Sequence, residues 1–118
     1  VLVATDDGSP LRVGVTARAE LRVFASTAWA TEQVDLFSST NPGATTPTWQ
    51  HVVTLKPVKA GAQVLVAALP LKTAGSFAIR ARLHHPDASG VILTCGTAGG
   101  TNVIDDQDDL AFTPAPWP

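Results

Sequence analysis

Four of the ten acidic residues in this chain fall within five positions, Asp105-Asp106-Gln107-Asp108-Asp109, directly before the apolar Leu110-Ala111-Phe112. Like charges packed this closely repel, so a fold either leaves them in solvent or brings a cation to them. Carboxylate-rich segments next to β-strands supply oxygen ligands for Ca²⁺, which takes about six to eight oxygens. A second acidic pair, Asp6 and Asp7, lies in the turn before Leu11. First and last strands are neighbours in many sandwiches, so the expectation is a structural Ca²⁺ held by Asp7, Asp106 and Asp109, with Asp105 and Asp6 as further ligands. Adjacent strand residues point to opposite faces, which is why one member of each pair is preferred. The spacing is not that of a twelve-residue EF-hand loop.

No catalytic set accompanies these carboxylates. The serines lack a Gly-x-Ser-x-Gly elbow, and Gly96-Thr97-Ala98-Gly99-Gly100 lacks the lysine and following helix of a phosphate loop. His84 and His85 are adjacent and diverge, and with His51 they do not make a zinc set. Trp49 shares a strand face with Val53 and Leu55, and Trp29 follows the odd-numbered register of Leu21 and Val23. Both rings therefore read as core, and without any tyrosine the chain has few rings for a sugar-stacking platform. The expectation is no enzyme and no catalytic residue, with the ligand-binding residues unassigned.

These residues need elements to hold them, and the dominant signal is alternation with period two. Ala17, Ala19, Leu21, Val23 and Ala25 alternate with polar residues, as do Trp49, His51, Val53 and Leu55, and then Phe77, Ile79, Ala81 and Leu83. Arg80, Arg82 and His84 make the other face of that last strand mildly basic. Val34, Leu36 and Phe37 mark a short strand with Asp35 on its other side, and Val91, Leu93 and Cys95 mark another. Gln63 to Leu69 is nearly continuous apolar sequence, which predicts a strand covered on both faces. Turn signals such as Asp6 to Pro10, Asn41-Pro42-Gly43 and Lys59-Ala60-Gly61 recur at spacings of roughly 8–12 residues. Roughly seven to nine strands and no required helix predict an all-β, antiparallel β-sandwich, jelly-roll or immunoglobulin-like. The domain is expected over residues 1–112, with 113–118 as a linker or tail.

The length of 118 residues suits one domain. A net charge of −2 gives no reason to expect nucleic acid, and no apolar run reaches the ~20 residues of a membrane span. The start at Val1, without methionine or signal peptide, reads as a segment of a longer or processed protein. Cys95 is the single cysteine and excludes an internal disulfide.

Taken in order, Trp29, Val34-Asp35-Leu36-Phe37, Asn41-Pro42, Pro47-Thr48-Trp49, Ala60-Gly61-Ala62-Gln63, Ala78-Ile79-Arg80, Cys95 and the closing Asp105 to Phe112 form a pattern. It resembles the small β-sandwich accessory domain at the C-terminal end of secreted bacterial proteases and related extracellular hydrolases. The resemblance implies a secreted, non-catalytic module attached to a catalytic domain in the same parent chain. Such a module would target the enzyme to a polymeric substrate or surface, either a polysaccharide or a protein polymer. It also implies that Cys95 pairs with a cysteine upstream of Leu11, which this chain does not have. Two alternatives stand beside it: a carbohydrate-binding module with a loop groove, and a structural spacer or protein-interaction domain.

Overall fold

The computed structural model describes residues 1–85 and 105–116, and for Asp105 and Asp106 the backbone alone. The expected strand at Val91 to Cys95, the glycine-rich loop before residue 102, the cysteine and Trp117 lie outside the described residues. Among the described residues seven strands form: β1 (Leu2–Ala4), β2 (Thr16–Ala25), β3 (Gln33–Ser39), β4 (Gln50–Leu55), β5 (Gly61–Pro70), β6 (Phe77–His84) and β7 (Asp105–Phe112). All paired strands are antiparallel. One sheet has the order β1-β2-β5 and the other β4-β3-β6-β7. An immunoglobulin constant-type sandwich places its strands as ABED and CFG. Here the fourth strand has left the first sheet and joined β3, while the other six keep their places. Among the described residues this strand order matches the immunoglobulin-like one of the two expected topologies.

The inward residues follow from the alternation. Ala17, Ala19 and Leu21 of β2, with Leu65, Ala67 and Leu69 of β5, meet Val34 and Leu36 of β3 and Phe77, Ile79, Ala81 and Leu83 of β6. Small alanines from one sheet opposite bulky chains from the other let the layers interdigitate. β5 is not covered on both faces, contrary to the expectation: Leu65, Ala67 and Leu69 are buried, while Val64 is 52% and Val66 50% exposed. A continuous apolar run cannot distinguish a doubly covered strand from a half-covered one with valines on its solvent face. β5 opens at Gly61, whose φ of 89° is a conformation that only glycine adopts without strain. Trp29 is displaced from the core register. The chain turns out of β2 at Ser26, and the tryptophan starts a short 3₁₀ turn, Trp29–Thr31. The buried Glu32 carboxylate fixes that crossover by accepting from the Ser26 amide at 3.1 Å and from the Ser26 hydroxyl.

The two chain ends meet along one side of the sandwich. The Val1 nitrogen lies 3.0 Å from Asp108 Oδ2. Farther on, Arg12 and Ala115 form a parallel bridge. Val13 N–H donates to the Ala115 carbonyl at 2.9 Å, and Ala115 N–H donates to the Leu11 carbonyl at 2.8 Å. Pro114 is buried. The stretch after Phe112, expected as a tail, therefore belongs to the folded unit as far as Pro116. Of the Leu11 to Val15 alternation, only this bridge becomes sheet.

Candidate functional site

In an antiparallel ladder, directly opposed residues share a face. On the face of the four-stranded sheet turned away from the core, β3 brings Gln33, Asp35 and Phe37, and β6 brings Arg80, Arg82 and His84. Asp35, Arg82, His84 and Gln33 are all buried, with Asp35 at 0% exposure. A buried carboxylate survives only when hydrogen-bonded and paired, and here three side chains make four contacts to it. Thr54 Oγ1 donates to Asp35 Oδ1 at 2.6 Å, and His84 Nε2 lies 2.5 Å from Oδ2. Gln33 Nε2 reaches Oδ1 and Oδ2 at 3.2 and 3.3 Å. The other ring nitrogen of His84, Nδ1, faces the His85 carbonyl at 2.9 Å, so both ring nitrogens lie against oxygen atoms. Burial pushes the Asp35 carboxyl up. The bonds from Thr54, His84 and Gln33, together with the charge of His84, outweigh it and hold the group below the usual carboxylate range.

A carboxylate offers about four lone-pair sites, and two donors at each oxygen fill them. Asp35 thus has no free acceptor for a substrate proton, and this cluster reads as a buttress within the sheet. His51 extends it outward, with Nε2 2.9 Å from Thr54 Oγ1 and 3.9 Å from Asp35 Oδ1. Its ring meets Phe37 edge-on at 5.7 Å. The bulge between Leu36 and Phe37 breaks the β3–β4 register there.

Toward β7 the same face carries an ion pair. Arg80 grips Asp109 with both arms, Nε to Oδ1 at 2.7 Å and Nη2 to Oδ2 at 2.8 Å. The Arg80 guanidinium carbon lies 4.2 Å from the centre of the Trp49 ring. Trp49 is therefore half-buried beneath a cation on the outer face, where the sequence had placed it in the core. Because Asp109 is 44% exposed, solvent screens the pair. A double-mutant cycle on Arg80→Ala and Asp109→Ala, read by urea denaturation, is expected to give a coupling of about 0.5–1 kcal/mol that falls with added salt.

Of the expected calcium ligands, the side chains of Asp6, Asp7 and Asp109 are described, and each has its own partner. Asp109 is held by Arg80, and Asp6 accepts from Arg18 Nη1 at 2.7 Å. Asp7 accepts from the Ser9 amide at 3.0 Å, and the hydroxyl and amide of Ser9 keep its carboxyl below the usual range. Val1 begins at Asp108, so Asp6 and Asp7 follow the opposite end of β1. Asp105 and Asp106 stand opposite His84 and Leu83 in the ladder, and their side chains are outside the described residues. Among the described residues, no three His, Cys, Asp or Glu side chains form a group able to hold a metal. The described carboxylates do not fit a calcium cage, because guanidinium groups and amides already engage them.

The sequence contained a signal for this arrangement. A lone aspartate in the apolar run Val34-Asp35-Leu36-Phe37 needs a buried partner, and the arginines of one strand suit the aspartates of another. Neither signal names the partner without the strand order.

At one end of the sandwich the sheets part to leave a cleft of about 270 Å³. Its floor is apolar, formed by Val52, Leu69 and Phe77, with Lys72 at one side. Ser38, Thr40, Gln50 and Thr73 rim it, and the rim continues onto a shelf with Asn41 and Thr48. Asn41 sets the loop that carries the shelf. Its Oδ1 accepts from the Ser39 hydroxyl and the Thr48 amide, both at 2.9 Å, and its carbonyl accepts from the Ala44 amide at 3.0 Å. The Asn41-Pro42-Gly43 turn thus presents a preformed rim. An apolar floor beneath a few fixed polar groups is the usual composition of a ligand site. Sequence reasoning missed this cleft because its lining comes from β3, β4, β5, β6 and two loops.

No protein-family model matches the chain, and neither do any curated protein or solved structure.

Proposed function

We propose that this chain is a non-catalytic accessory module of a secreted hydrolase, and that its end cleft holds a segment of a neutral polysaccharide. The observation that carries this reading is the chemistry of the cleft. Six rim side chains, Ser38, Thr40, Asn41, Thr48, Gln50 and Thr73, are uncharged hydroxyls and amides over a small apolar floor. Such groups exchange hydrogen bonds with sugar hydroxyls, and Phe77 and Val52 offer apolar surface to sugar C–H groups. The reading joins the two binding expectations drawn from sequence: targeting of a parent enzyme to a polymer, and a loop groove in place of an aromatic platform. The link to an exported hydrolase rests on the resemblance in the ordered motifs from Trp29 to Phe112.

The test is retention of the chain on insoluble neutral polysaccharides, followed by titration with soluble oligosaccharides of the retaining type. Gln50→Ala and Thr73→Ala are each expected to weaken binding about three- to tenfold, as the loss of one hydrogen bond of about 0.5–1.5 kcal/mol requires. Asp109→Ala, on the other face, should leave it unchanged. Absence of retention on every polysaccharide, with the folded state intact, would reject saccharide binding and favour the structural-spacer reading.

A further inference from the structure

We propose that the outer edge of β5 is a strand-pairing surface for a second copy of this chain. A sandwich of two open sheets has four edge strands, each presenting unpaired backbone groups that can template another strand. Three of them carry recognised protection. β1 is three residues long. β7 has four aspartates within its eight residues. β4 has six residues, sits against a register shift at Leu36/Phe37, and carries the exposed His51.

β5 has none of these devices. It runs for ten residues, Gly-Ala-Gln-Val-Leu-Val-Ala-Ala-Leu-Pro, without a charge. Its pairing with β2 is continuous from Ala25↔Gly61 to Thr16↔Pro70, with no bulge to twist the edge away. Among the described residues, no strand pairs with its other edge. Its solvent face is apolar as well, with Val64 and Val66 about half exposed.

The sequence of β5 favours its own copy as occupant. Antiparallel pairing about a twofold axis at Leu65 sets Val64 opposite Val66 of the second copy and Ala62 opposite Ala68. Every outward pair is then apolar on apolar, as a self-complementary isologous contact requires. Behind each pair, the β2 ladder places Glu20 beside Val66 and Arg22 beside Val64. One row therefore reads Glu20, Val66, then Val64 and Arg22 of the second copy, with opposite charges at its ends and no like charges opposed. One strand edge is small beside the ~800 Å² per partner of a standard interface, so the dimer is weak and concentration-dependent. The inference does not depend on the polysaccharide reading, since no binding to the cleft is invoked.

Sedimentation velocity on the whole chain from about 10 μM to about 1 mM tests it. The expected result is a monomer–dimer equilibrium within that range. Val66→Lys and Val64→Lys, each confirmed as folded by circular dichroism, should each weaken it at least about tenfold. Leu2→Lys alters an equally exposed residue of the same sheet on the opposite edge strand, and should leave the equilibrium as in the unmodified chain. The proposal is overturned if the unmodified chain stays monomeric throughout, or if Leu2→Lys abolishes association while the β5 variants keep it. Pairing only with an added extended peptide, without self-association, overturns it as well.

Discussion

Asp35→Ala is expected to cost about 3–5 kcal/mol of folding stability, because removing one partner of a buried pair leaves the others uncompensated. His84 would face the vacated position with a buried donor, and Thr54 and Gln33 would each lose an acceptor. Against a typical total of about 5–15 kcal/mol, that is a large fraction, and urea denaturation would register it as a lowered midpoint. Asp35→Asn should recover only part of the loss. Its amide keeps one acceptor oxygen, but it turns a donor toward groups that are themselves donors. The pH dependence carries the same signature. The Asp35 carboxyl is held low in the folded chain, so its ionised form stabilises the fold fully above the ordinary carboxylate value of about 4. That contribution is lost as pH falls from there through the lower folded-state value. Denaturation midpoints measured from neutrality down through that window should fall in the native chain, and Asp35→Asn should remove this component. A variant that matched the native chain at neutral pH would show that the buried row contributes nothing to stability.

The second large effect separates the two faces of β5. Leu65 lies in the core and Val66 is half exposed on the opposite face. Leu65→Ala should cost about 2–5 kcal/mol, the usual range for a truncated core leucine. Val66→Ala should stay within about 0.5 kcal/mol, as surface substitutions do. Equal and large losses at both positions would mean that something covers the outer face. Urea midpoints of the two variants, taken at a protein concentration low enough to keep the chain monomeric, decide the matter.

Much of the fold was legible because side-chain alternation is local. Ala17 to Leu21 and Phe77 to Leu83 declared their inward faces, and Lys59-Ala60-Gly61 declared its turn. The errors were also local. Val64 and Val66 read as buried because apolar character does not report what lies above it. Trp49 shares its register with Val53, but it sits before β4, on the side where Arg80 reaches over its ring. The candidate site was the least legible part. Asp35 is 49 residues from His84 and 19 from Thr54, and the cleft draws its lining from four strands and two loops. No short-range pattern encodes those meetings.

The acidic cluster shows the division most clearly. Sequence by itself determined that Asp105 to Asp109 must be either solvated or met by positive charge, because unscreened like charges at adjacent positions are unfavourable in any fold. It also pointed to an all-β fold with a last strand at Leu110 to Phe112, but that strand begins at Asp105 and takes in the acidic residues themselves. Only the tertiary structure decided which partners serve. Antiparallel pairing with β6 puts Arg80 opposite Asp109, and a guanidinium with two arms satisfies both oxygens of one carboxylate. The tie between the chain's ends was likewise set by topology. β1 and β7 belong to different sheets and meet along one side of the sandwich, where Ala115 exchanges backbone hydrogen bonds with Leu11 and Val13. Strand order is a property of the whole chain's packing, and it alone determines which distant residues become neighbours.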